Sequence, residues 1–309
     1  MRESIKVFAP ATVANVTCGF DILGFAVDQP GDEITLKRSN SGRVQILEII
    51  GDGGALPLDA DKNTCSVVIK MLMDDLGIDQ GIDIYLNKKM PLGSGLGSSA
   101  ASSVAAIFAI NELLGKPKTL EELLPYAMEG ERVACGAAHA DNVAPGLYGG
   151  FVLIRSYEPL DVIRLKTPEE LYATLVHPQI EVKTKDAREI LRKQIYFKDS
   201  VKQSGNVAGL IAGLLTSDFS LISRSMHDYI VEPIRSILIP GYNEVKNAVM
   251  ELGALGAGIS GSGPSIFALS HEADIAEKIA EKMKSVYAGF EIESETYVSK
   301  INQAGPKIL

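Results

Sequence analysis

Residues 91–103 read PLGSGLGSSAASS and place three glycines at alternate positions directly in front of an alanine-rich stretch. Gly93, Gly95 and Gly97 can adopt positive φ at little cost, and their backbone N–H groups can approach a ligand closely. The Walker pattern GxxxxGK[ST] is absent, because no lysine comes after these glycines. A phosphate-binding loop and a purely structural glycine turn are therefore both open, and the choice depends on the residues after the loop.

The stretch after the glycines predicts a helix from about Ser98 to Leu114, with Ser98 as its N-cap and Gly115 as a left-handed cap at its end. The start of a helix leaves backbone N–H groups without partners and carries a partial positive charge, so an anion binds well there. The hydroxyls of Ser98 and Ser99 add groups that can contact phosphate or a metal ion. We therefore interpret the loop and the helix start together as a phosphate cradle.

The composition is that of a globular protein without a basic surface. Of the 309 residues, 46% are hydrophobic and 22% are charged, and the formal net charge is −9. That balance excludes nucleic acid as the main partner, since phosphates of a polynucleotide need a basic excess. No apolar run approaches the ~20 residues that span a bilayer. The three cysteines are widely spaced, which predicts buried thiols in a reducing compartment. We expect a cytoplasmic protein with no membrane partner.

Hydrophobic patterning predicts a chain of mixed helices and strands, of the α+β class. An opening strand at 4–9 is expected to end at Pro10. Further strands are predicted at 33–39, 43–50, 82–89, 151–156, 161–166, 171–178 and 265–270. Further helices are predicted at 64–76, 120–136, 186–195, 200–215, 219–230 and 273–286. We place the division between two domains at residues 1–160 and 161–309.

The stretch GAGISG at 256–261 matches the dinucleotide fingerprint GxGxxG. That fingerprint requires a strand before the glycines and a helix after them. Here the glycines are followed by GPSIFALS, which contains a proline and then a strand pattern. We therefore reject an NAD-dependent oxidoreductase and expect a second flexible loop that folds toward the first.

Three segments together resemble the sequence motifs of the GHMP kinase superfamily. They are APATVANVTCGFD at 9–21, PLGSGLGSSAA at 91–101 and GISGSGPS at 258–265, so the resemblance extends over nearly the whole chain. It implies a kinase whose N-terminal domain contains a left-handed βαβ crossover and whose C-terminal domain is ferredoxin-like. It also implies that ATP lies between the domains with its phosphates over the glycine loop. The residues implied in binding ATP are Pro91, Leu92, Gly93, Ser94, Gly95, Leu96, Gly97, Ser98, Ser99, Ala100 and Ala101.

Within the superfamily the sequence is most similar to the members that phosphorylate the side-chain hydroxyl of L-homoserine in threonine biosynthesis. The segments HADNVAPGLYGGF at 139–151, TKDAREIL at 184–191 and VEPIRSILIPGY at 231–242 carry this similarity. The positions implied in binding that substrate are Asn15, Asp21, His139, Thr184, Arg188 and Arg235. Two arginines suit the carboxylate of an amino acid, and Asp21 suits its ammonium group.

The resemblance implies that Ser99 and Glu131 coordinate Mg²⁺, which needs only one or two protein oxygens besides phosphate. Asn142 matches the position at which other members carry an aspartate base, and an amide is a poor proton acceptor. Catalysis would then depend on positioning and charge neutralisation, which the loose transition state of phosphoryl transfer permits. Asp141 is adjacent, but we expect its side chain to point elsewhere.

Each of these residues also has a structural interpretation. Arg188 fits an exposed helix face, Glu131 fits an ion pair with Arg132, and Asn15 and Asp21 are common turn formers. Two functional alternatives stay open at this point. One is a related kinase for another small alcohol, and the other is an inactive protein of the same fold that only binds a ligand. The resemblance also implies a homodimer.

Overall fold

The computed structural model describes residues 2–309, except for the side chains of Cys135 and Lys185. The α+β class is confirmed, since helices and strands mix along the described chain. The strands are β1 Ser4–Ala14, β2 Leu23–Ser39, β3 Val44–Ile50, β4 Gly81–Asn87, β5 Phe151–Tyr157, β6 Leu160–Leu165, β7 Tyr172–Pro178, β8 Gly256–Ile259, β9 Ile266–Ser270, β10 Ser294–Lys300 and β11 Lys307–Ile308. The α-helices are α1 Thr64–Asp75, α2 Ser98–Leu113, α3 Leu120–Cys135, α4 Ala140–Tyr148, α5 Thr184–Glu189, α6 Phe197–Thr216, α7 Phe219–Ser225, α8 Glu232–Arg235, α9 Tyr242–Glu251 and α10 Ala273–Gly289.

The first sheet has the order β11-β1-β2-β4-β3, and β5 and β6 extend it from β2. Its pairs are antiparallel except β3 and β4, which are parallel and are connected through α1. Parallel neighbours need such a crossover, so this is the βαβ unit expected from the resemblance. The hand of that crossover stays a prediction.

The second sheet has the order β10-β7-β9-β8 and is antiparallel throughout. Helices α5–α9 lie between β7 and β8 in the chain, and α10 lies between β9 and β10. In chain order this is a βαββαβ arrangement, which is the ferredoxin-like pattern. The expected ferredoxin-like C-terminal half is therefore confirmed.

The two sheets are tied together in several places. Val27 of β2 forms an isolated bridge with Ile301, and the Ser299 hydroxyl accepts hydrogen bonds from two successive backbone amides of β2. The final strand β11 returns to pair with β1. The division proposed between residues 160 and 161 falls at the start of β6, and it stays a prediction.

Helix α2 lies at the centre of the main core and is buried on almost every side. It packs against β1, β2, α1, α3 and α4, so small side chains are needed to let these elements approach. A Cβ at Gly130 of α3 would lie 2.2 Å from the Ser103 hydroxyl oxygen, which shows how close that approach is. The alanines and serines after the glycine loop are therefore explained by packing as well as by helix propensity.

Several predicted boundaries were wrong. Strand β1 continues past Pro10 to Ala14, with an irregular register between Pro10 and Thr12, because a bulge absorbs the missing donor. Ser98 is not the N-cap of α2: Gly97 caps it in the left-handed conformation, at φ 68° and ψ 34°. The left-handed Gly115 is confirmed.

Two helices of the second half end earlier than predicted. Helix α5 spans Thr184–Glu189 instead of 186–195, and α7 ends at Ser225 instead of 230. The second of these ends early because Asp228 takes the following amides: its carboxylate accepts hydrogen bonds from the backbone N–H groups of Ile230, Val231 and Glu232. Helices α4, α8 and α9 and strands β8, β10 and β11 were not predicted.

Among residues 2–309, no helix is both long enough and apolar enough to cross a membrane.

Candidate active site

A cavity of about 480 Å³ lies where the glycine loop, α3, α4, α5, α8 and the loop after β8 meet. This volume is in the range of sites for small ligands. The predicted site residues that line it are Asn15, Asp21, Leu92, Gly93, Ser94, Gly95, Gly97, Ser98, Ser99, Glu131, His139, Asn142, Thr184, Arg188 and Arg235. The other four predicted residues, Pro91, Leu96, Ala100 and Ala101, are not among the described residues on its wall, and the last three are buried in the core.

The glycine loop depends on a left-handed backbone geometry that is strained for most residues other than glycine. Gly93, Gly95 and Gly97 have φ of 65°, 78° and 68°. A Cβ at Gly95 would lie 2.4 Å from the carbonyl oxygen of Ser260, in the loop after β8. The Ser260 hydroxyl donates to the Gly95 carbonyl oxygen at 2.7 Å, so the two loops are in direct contact. The expectation that the second glycine-rich loop folds toward the first is confirmed.

Beneath the loop, Lys88 forms a fully buried ion pair with Asp32. The Lys88 Nζ also donates to the carbonyl oxygen of Ser98 and to the hydroxyl of Ser102, each at 2.8 Å. Asp32 in turn accepts from the backbone amides of Lys89 and Met90. This network fixes the end of β4 to the first turn of α2, which keeps the glycine loop in place.

Ser99 and Glu131 are in contact between the first turn of α2 and the last turns of α3. The Ser99 hydroxyl hydrogen-bonds to the Glu131 carboxylate, and Glu131 is only 7% exposed. Burial raises the pKa of Glu131, while the Ser99 hydrogen bond and the positive charge of Lys88 oppose that shift. A cation bound beside the carboxylate would offset the cost of burying its charge.

Residues 15–21 form a loop with unusual backbone geometry. Asn15, Val16, Thr17 and Asp21 all have positive φ. Asparagine and aspartate tolerate this geometry, whereas it is strained for the β-branched Val16 and Thr17. Asn15 closes the loop and attaches it to the loop after β8: its Oδ1 accepts from the Asp21 amide at 3.0 Å, and its Nδ2 donates to the Gly261 carbonyl oxygen at 2.7 Å. Such strain persists only where surrounding contacts fix it, and it is common at functional sites.

Two arginines and one aspartate face each other in the cavity around the ring of Phe20. Arg188 donates both guanidinium ends to the Asp21 carboxylate, at 2.8 Å and 3.1 Å. The guanidinium carbons of Arg188 and Arg235 lie 5.4 Å and 4.9 Å from the centre of the Phe20 ring. Arg235 is 3% exposed and donates to the carbonyl oxygens of Ala187 and Gly261.

Burial and the nearby Arg188 charge lower the pKa of Arg235 to about 10, so this side chain stays a cation at neutral pH. Desolvating a guanidinium at the wall of a cavity is costly unless an anion can approach it. The three charged groups therefore form a site with one carboxylate and two cations. An amino-acid zwitterion would meet complementary charges there.

Helix α4 presents three polar side chains at its start. His139 is the N-cap residue, and burial lowers its pKa, so it is neutral near pH 7. Asp141 lies on the cavity wall together with Asn142 and is 4% exposed. The direction of its side chain stays a prediction. Burial and the negative charges of Asp21 and Glu131 raise the pKa of Asp141 to about 7. Thr184 joins the site from α5, with its hydroxyl 3.2 Å from the Ser262 hydroxyl.

Sequence reasoning missed part of the cavity wall. The missed residues include Leu56, Pro57, Lys62, Asn63, Thr64, Lys88, Ser102, Val133, Ala134, Gly261 and Ser262. The sequence does indicate Lys88, since this basic residue lies in KKMPLGSG, three residues before Pro91 at the start of the glycine-rich stretch. The others come from segments that only the tertiary fold brings to the cavity.

Comparison with known protein families agrees with this arrangement of loop, cleft and charges. The model of the GHMP kinases N terminal domain matches residues 63–150, and that of the GHMP kinases C terminal matches residues 210–289. The chain belongs to the GHMP kinases. Mevalonate kinase of L. major, solved with R-mevalonate, has the same fold, with a TM-score of 0.74 at 16% identity over 97% of this chain and 98% of that one.

Relatives with higher identity narrow the family further. A homoserine kinase of Chloroherpeton thalassium is 50% identical, with 99% of this chain and 100% of the relative covered. The crystal structure of a homoserine kinase from Cytophaga hutchinsonii superimposes with a TM-score of 0.98 at 62% identity, over 100% of this chain and 98% of that one. Within the GHMP kinases, the chain belongs to the homoserine kinase family, whose members use ATP as phosphate donor.

Proposed function

We propose that this protein transfers the γ-phosphoryl group of ATP to the side-chain hydroxyl of L-homoserine and forms O-phospho-L-homoserine for threonine biosynthesis. The observation that carries the proposal is the charge arrangement at one end of the cavity: Arg188, Arg235 and Asp21 meet within the same space that the glycine loop lines. Those charges complement an amino-acid zwitterion. The glycine loop at the other end complements a phosphate chain.

The donor half of the site is supplied by backbone groups. The first amides of α2 and the left-handed Gly97 at its N-cap offer donors and a partial positive charge for the phosphates of ATP. Leu56, Pro57 and Val133 give the cavity an apolar wall for the nucleoside. Lys88 holds the first turn of α2 from below, while Asp32 neutralises its charge.

The acceptor half is supplied by side chains. Arg188 and Arg235 bind the carboxylate of homoserine, and Asp21 binds its ammonium group. Asn15, His139 and Thr184 orient the remainder of the substrate. The existing Arg188–Asp21 pair then exchanges partners, because each of its groups gains an opposite charge from the zwitterion.

No residue is assigned as a general base. Asn142 lies on the cavity wall, and its neutral amide positions the reacting groups without taking a proton. Phosphoryl transfer passes through a loose transition state with little bond formation to the nucleophile, so positioning and electrostatic stabilisation supply most of the acceleration.

Ser99 and Glu131 fit a Mg²⁺ ion. Both offer oxygen ligands, both line the cavity, and within the described residues the neighbouring buried hydroxyl of Ser98 has no hydrogen-bond partner. No group of three or more His, Cys, Asp or Glu side chains able to hold a metal occurs in the described residues, which suits an ion that takes most of its ligands from phosphate and water. When bound, Mg²⁺ would neutralise charge on the phosphates. A cytoplasmic location and a homodimer stay predictions.

The experiment is ADP release from Mg·ATP with L-homoserine and with two truncated acceptors. Aminopropanol lacks the carboxylate and γ-hydroxybutyrate lacks the ammonium group, while both keep the hydroxyl. We expect each to lose at least ~100-fold in kcat/KM, since each leaves a desolvated charge unpaired. Preference for mevalonate or galactose would replace homoserine with another alcohol. ATP binding without turnover of any acceptor would favour the inactive ligand-binding alternative.

Arg235→Ala sharpens the same assay. It should raise the homoserine KM roughly 100-fold and leave the ATP KM within about twofold, because the guanidinium serves only the acceptor half. The exposed Arg192 offers the matched control, and Arg192→Ala should leave both KM values unchanged. Equal increases in both KM values for Arg235→Ala would remove the carboxylate role.

A further inference from the structure

Thr12 lies behind the candidate active site, where three elements meet. It belongs to β1 at the register irregularity, and its side chain is 1% exposed. Its backbone amide donates to the Leu96 carbonyl oxygen at 3.0 Å, so β1 contacts the glycine loop directly. On the other side, the position of a Cβ at Gly146 of α4 would lie 3.5 Å from the Thr12 methyl group. Thr12 is thus packed between the glycine loop and α4.

The Thr12 hydroxyl makes one close polar contact with the cavity wall. Its Oγ1 donates to the Oδ1 of Asn142 at 2.7 Å. Asn142 lines the cavity, whereas Thr12 is buried behind it. The hydrogen bond from Thr12 fixes the Oδ1 end, and the two N–H donors of Nδ2 are the groups that Asn142 can offer to a ligand in the cavity.

Gly97 provides the space for this contact. A Cβ at Gly97 would lie 2.1 Å from the Thr12 hydroxyl oxygen and 3.0 Å from the Asn142 Oδ1. The same residue is the left-handed N-cap of α2. The Thr12–Asn142 pair is therefore adjacent to the turn that starts α2. This turn belongs to the donor half of the site.

We infer that Thr12 is a positioning residue for the phosphoryl transfer, which acts by holding the Asn142 amide so that it donates a hydrogen bond into the cavity. This rests on the proposed function, since it deepens the role of Asn142 there. With its oxygen engaged by Thr12, Asn142 presents only N–H groups to the reacting oxygens. It stabilises and orients an oxygen during the transfer, and it accepts no proton. A rotating amide would lose that direction and some of the rate.

The test compares Thr12→Val with Thr12→Ser in the ADP-release assay. Valine keeps the shape of threonine and removes the hydroxyl, whereas serine keeps the hydroxyl and removes the methyl group. We expect Thr12→Val to lower kcat about tenfold with the KM values for ATP and homoserine within about twofold, because the lost hydrogen bond orients a group that acts in the transition state. Thr12→Ser should retain most of the wild-type kcat.

A double-mutant cycle with Asn142→Ala separates positioning from general damage. If Thr12 acts through Asn142, adding Thr12→Val to Asn142→Ala should cost little further activity. Additive losses would overturn the inference, as would equal losses in Thr12→Val and Thr12→Ser, or a wild-type kcat in Thr12→Val. Turnover of L-homoserine by the wild-type protein tests the proposed function separately. If the wild type is active and Thr12→Val has the same kcat, only this inference is overturned. If the wild type does not turn over L-homoserine, both the proposed function and this inference are overturned.

Discussion

The two halves of the candidate active site are built in opposite ways. The phosphate loop of the donor half is one contiguous stretch, residues 93–99, and contains three glycines with positive φ. A Cβ would collide with neighbouring backbone at Gly95 and with the Thr12 side chain at Gly97. The acceptor half collects charged and polar side chains from Asn15 to Arg235, across more than two hundred residues of chain. The donor half depends on glycines, which have no Cβ, and the acceptor half depends on charged side chains.

This difference decides how each half should respond to change. A steric site tolerates no added atom where backbone already fills the space, but it is indifferent to pH. A charged site tolerates small changes of shape, but it responds to the protonation of its groups. Glycine substitutions should therefore break the donor half, and titration should reveal the acceptor half.

The largest effect is expected for Gly95→Ala. The added Cβ would lie 2.4 Å from the Ser260 carbonyl oxygen and 2.8 Å from that of Gly263, and the backbone has φ 78°. Because both neighbours are backbone, the glycine loop must move as a whole. We expect kcat/KM for ATP to fall by at least ~100-fold and the free energy of unfolding to fall by roughly 2–4 kcal/mol. ADP release and urea unfolding measure the two losses.

Gly93→Ala is the matched control in the same loop. Gly93 has a similar φ of 65°, but a Cβ there would meet nothing within 4 Å. Only the strain of a left-handed alanine remains, which costs about 1 kcal/mol. Equal losses of kcat/KM for ATP and of unfolding free energy in Gly93→Ala and Gly95→Ala would mean that backbone strain alone explains both. The contact between the two glycine loops would then not contribute to the effect.

A second prediction concerns Asp141 and pH. Its pKa is raised from 3.8 to about 7 by burial and by its negative neighbours, so the folded protein holds a proton that the unfolded chain releases. The stability that this group contributes is fully present below about pH 4 and is lost as the pH rises through about 7. Relative to Asp141→Asn, which cannot titrate, the wild type should lose roughly 2–4 kcal/mol between about pH 4 and pH 8.

Urea unfolding of both proteins across that pH range measures this difference. The exposed Asp79 provides the control, because Asp79→Asn should follow the pH dependence of the wild type. A constant difference between the wild type and Asp141→Asn at all pH values would mean that Asp141 is ionised throughout. The cavity wall would then carry a second ionised aspartate besides the half-buried Asp21.

The same contrast explains what the sequence could predict. The donor half was readable because its signal is local: alternating glycines before a helix predict a phosphate cradle within one stretch. Even there the predicted N-cap was wrong, because Gly97 and not Ser98 caps the helix. A Cβ at Gly97 would lie 2.1 Å from the Thr12 hydroxyl oxygen, a contact with a distant strand that the local pattern does not show.

The acceptor half could not be derived from local patterns. Arg188 alone reads as one charge on an exposed helix, and only the resemblance to the GHMP kinases singled it out. Its pairing with Asp21 joins residues 167 positions apart. The buried pair of Asp32 and Lys88 likewise joins residues 56 positions apart. The sequence around either residue does not indicate that the other is its partner.

The smallest effect is expected for Tyr157→Phe, which tests how the acceptor half is held together. The Tyr157 hydroxyl donates to the Asp21 carbonyl oxygen at 3.0 Å and accepts from the Ala140 amide at 3.3 Å. It thus ties the strained loop of residues 15–21 to the start of α4. Burial and the charge of Asp141 raise the pKa of Tyr157 to about 12, so the hydroxyl keeps its proton and stays a donor at neutral pH.

Removing this hydroxyl breaks two neutral hydrogen bonds, each worth about 1 kcal/mol, but it leaves the Asp21 carboxylate in place. We therefore expect the homoserine KM to rise about fivefold and the ATP KM to stay unchanged. Tyr126→Phe is the matched control: the Tyr126 hydroxyl donates to Asp75 at 2.6 Å on the contact between α1 and α3, so its loss should leave both KM values unchanged. An unchanged homoserine KM in Tyr157→Phe would mean that Asn15 and the Arg188 ion pair alone hold Asp21. A matching rise in the ATP KM would mean that the two halves are mechanically coupled through α4, which the contrast between a steric and a charged half does not allow.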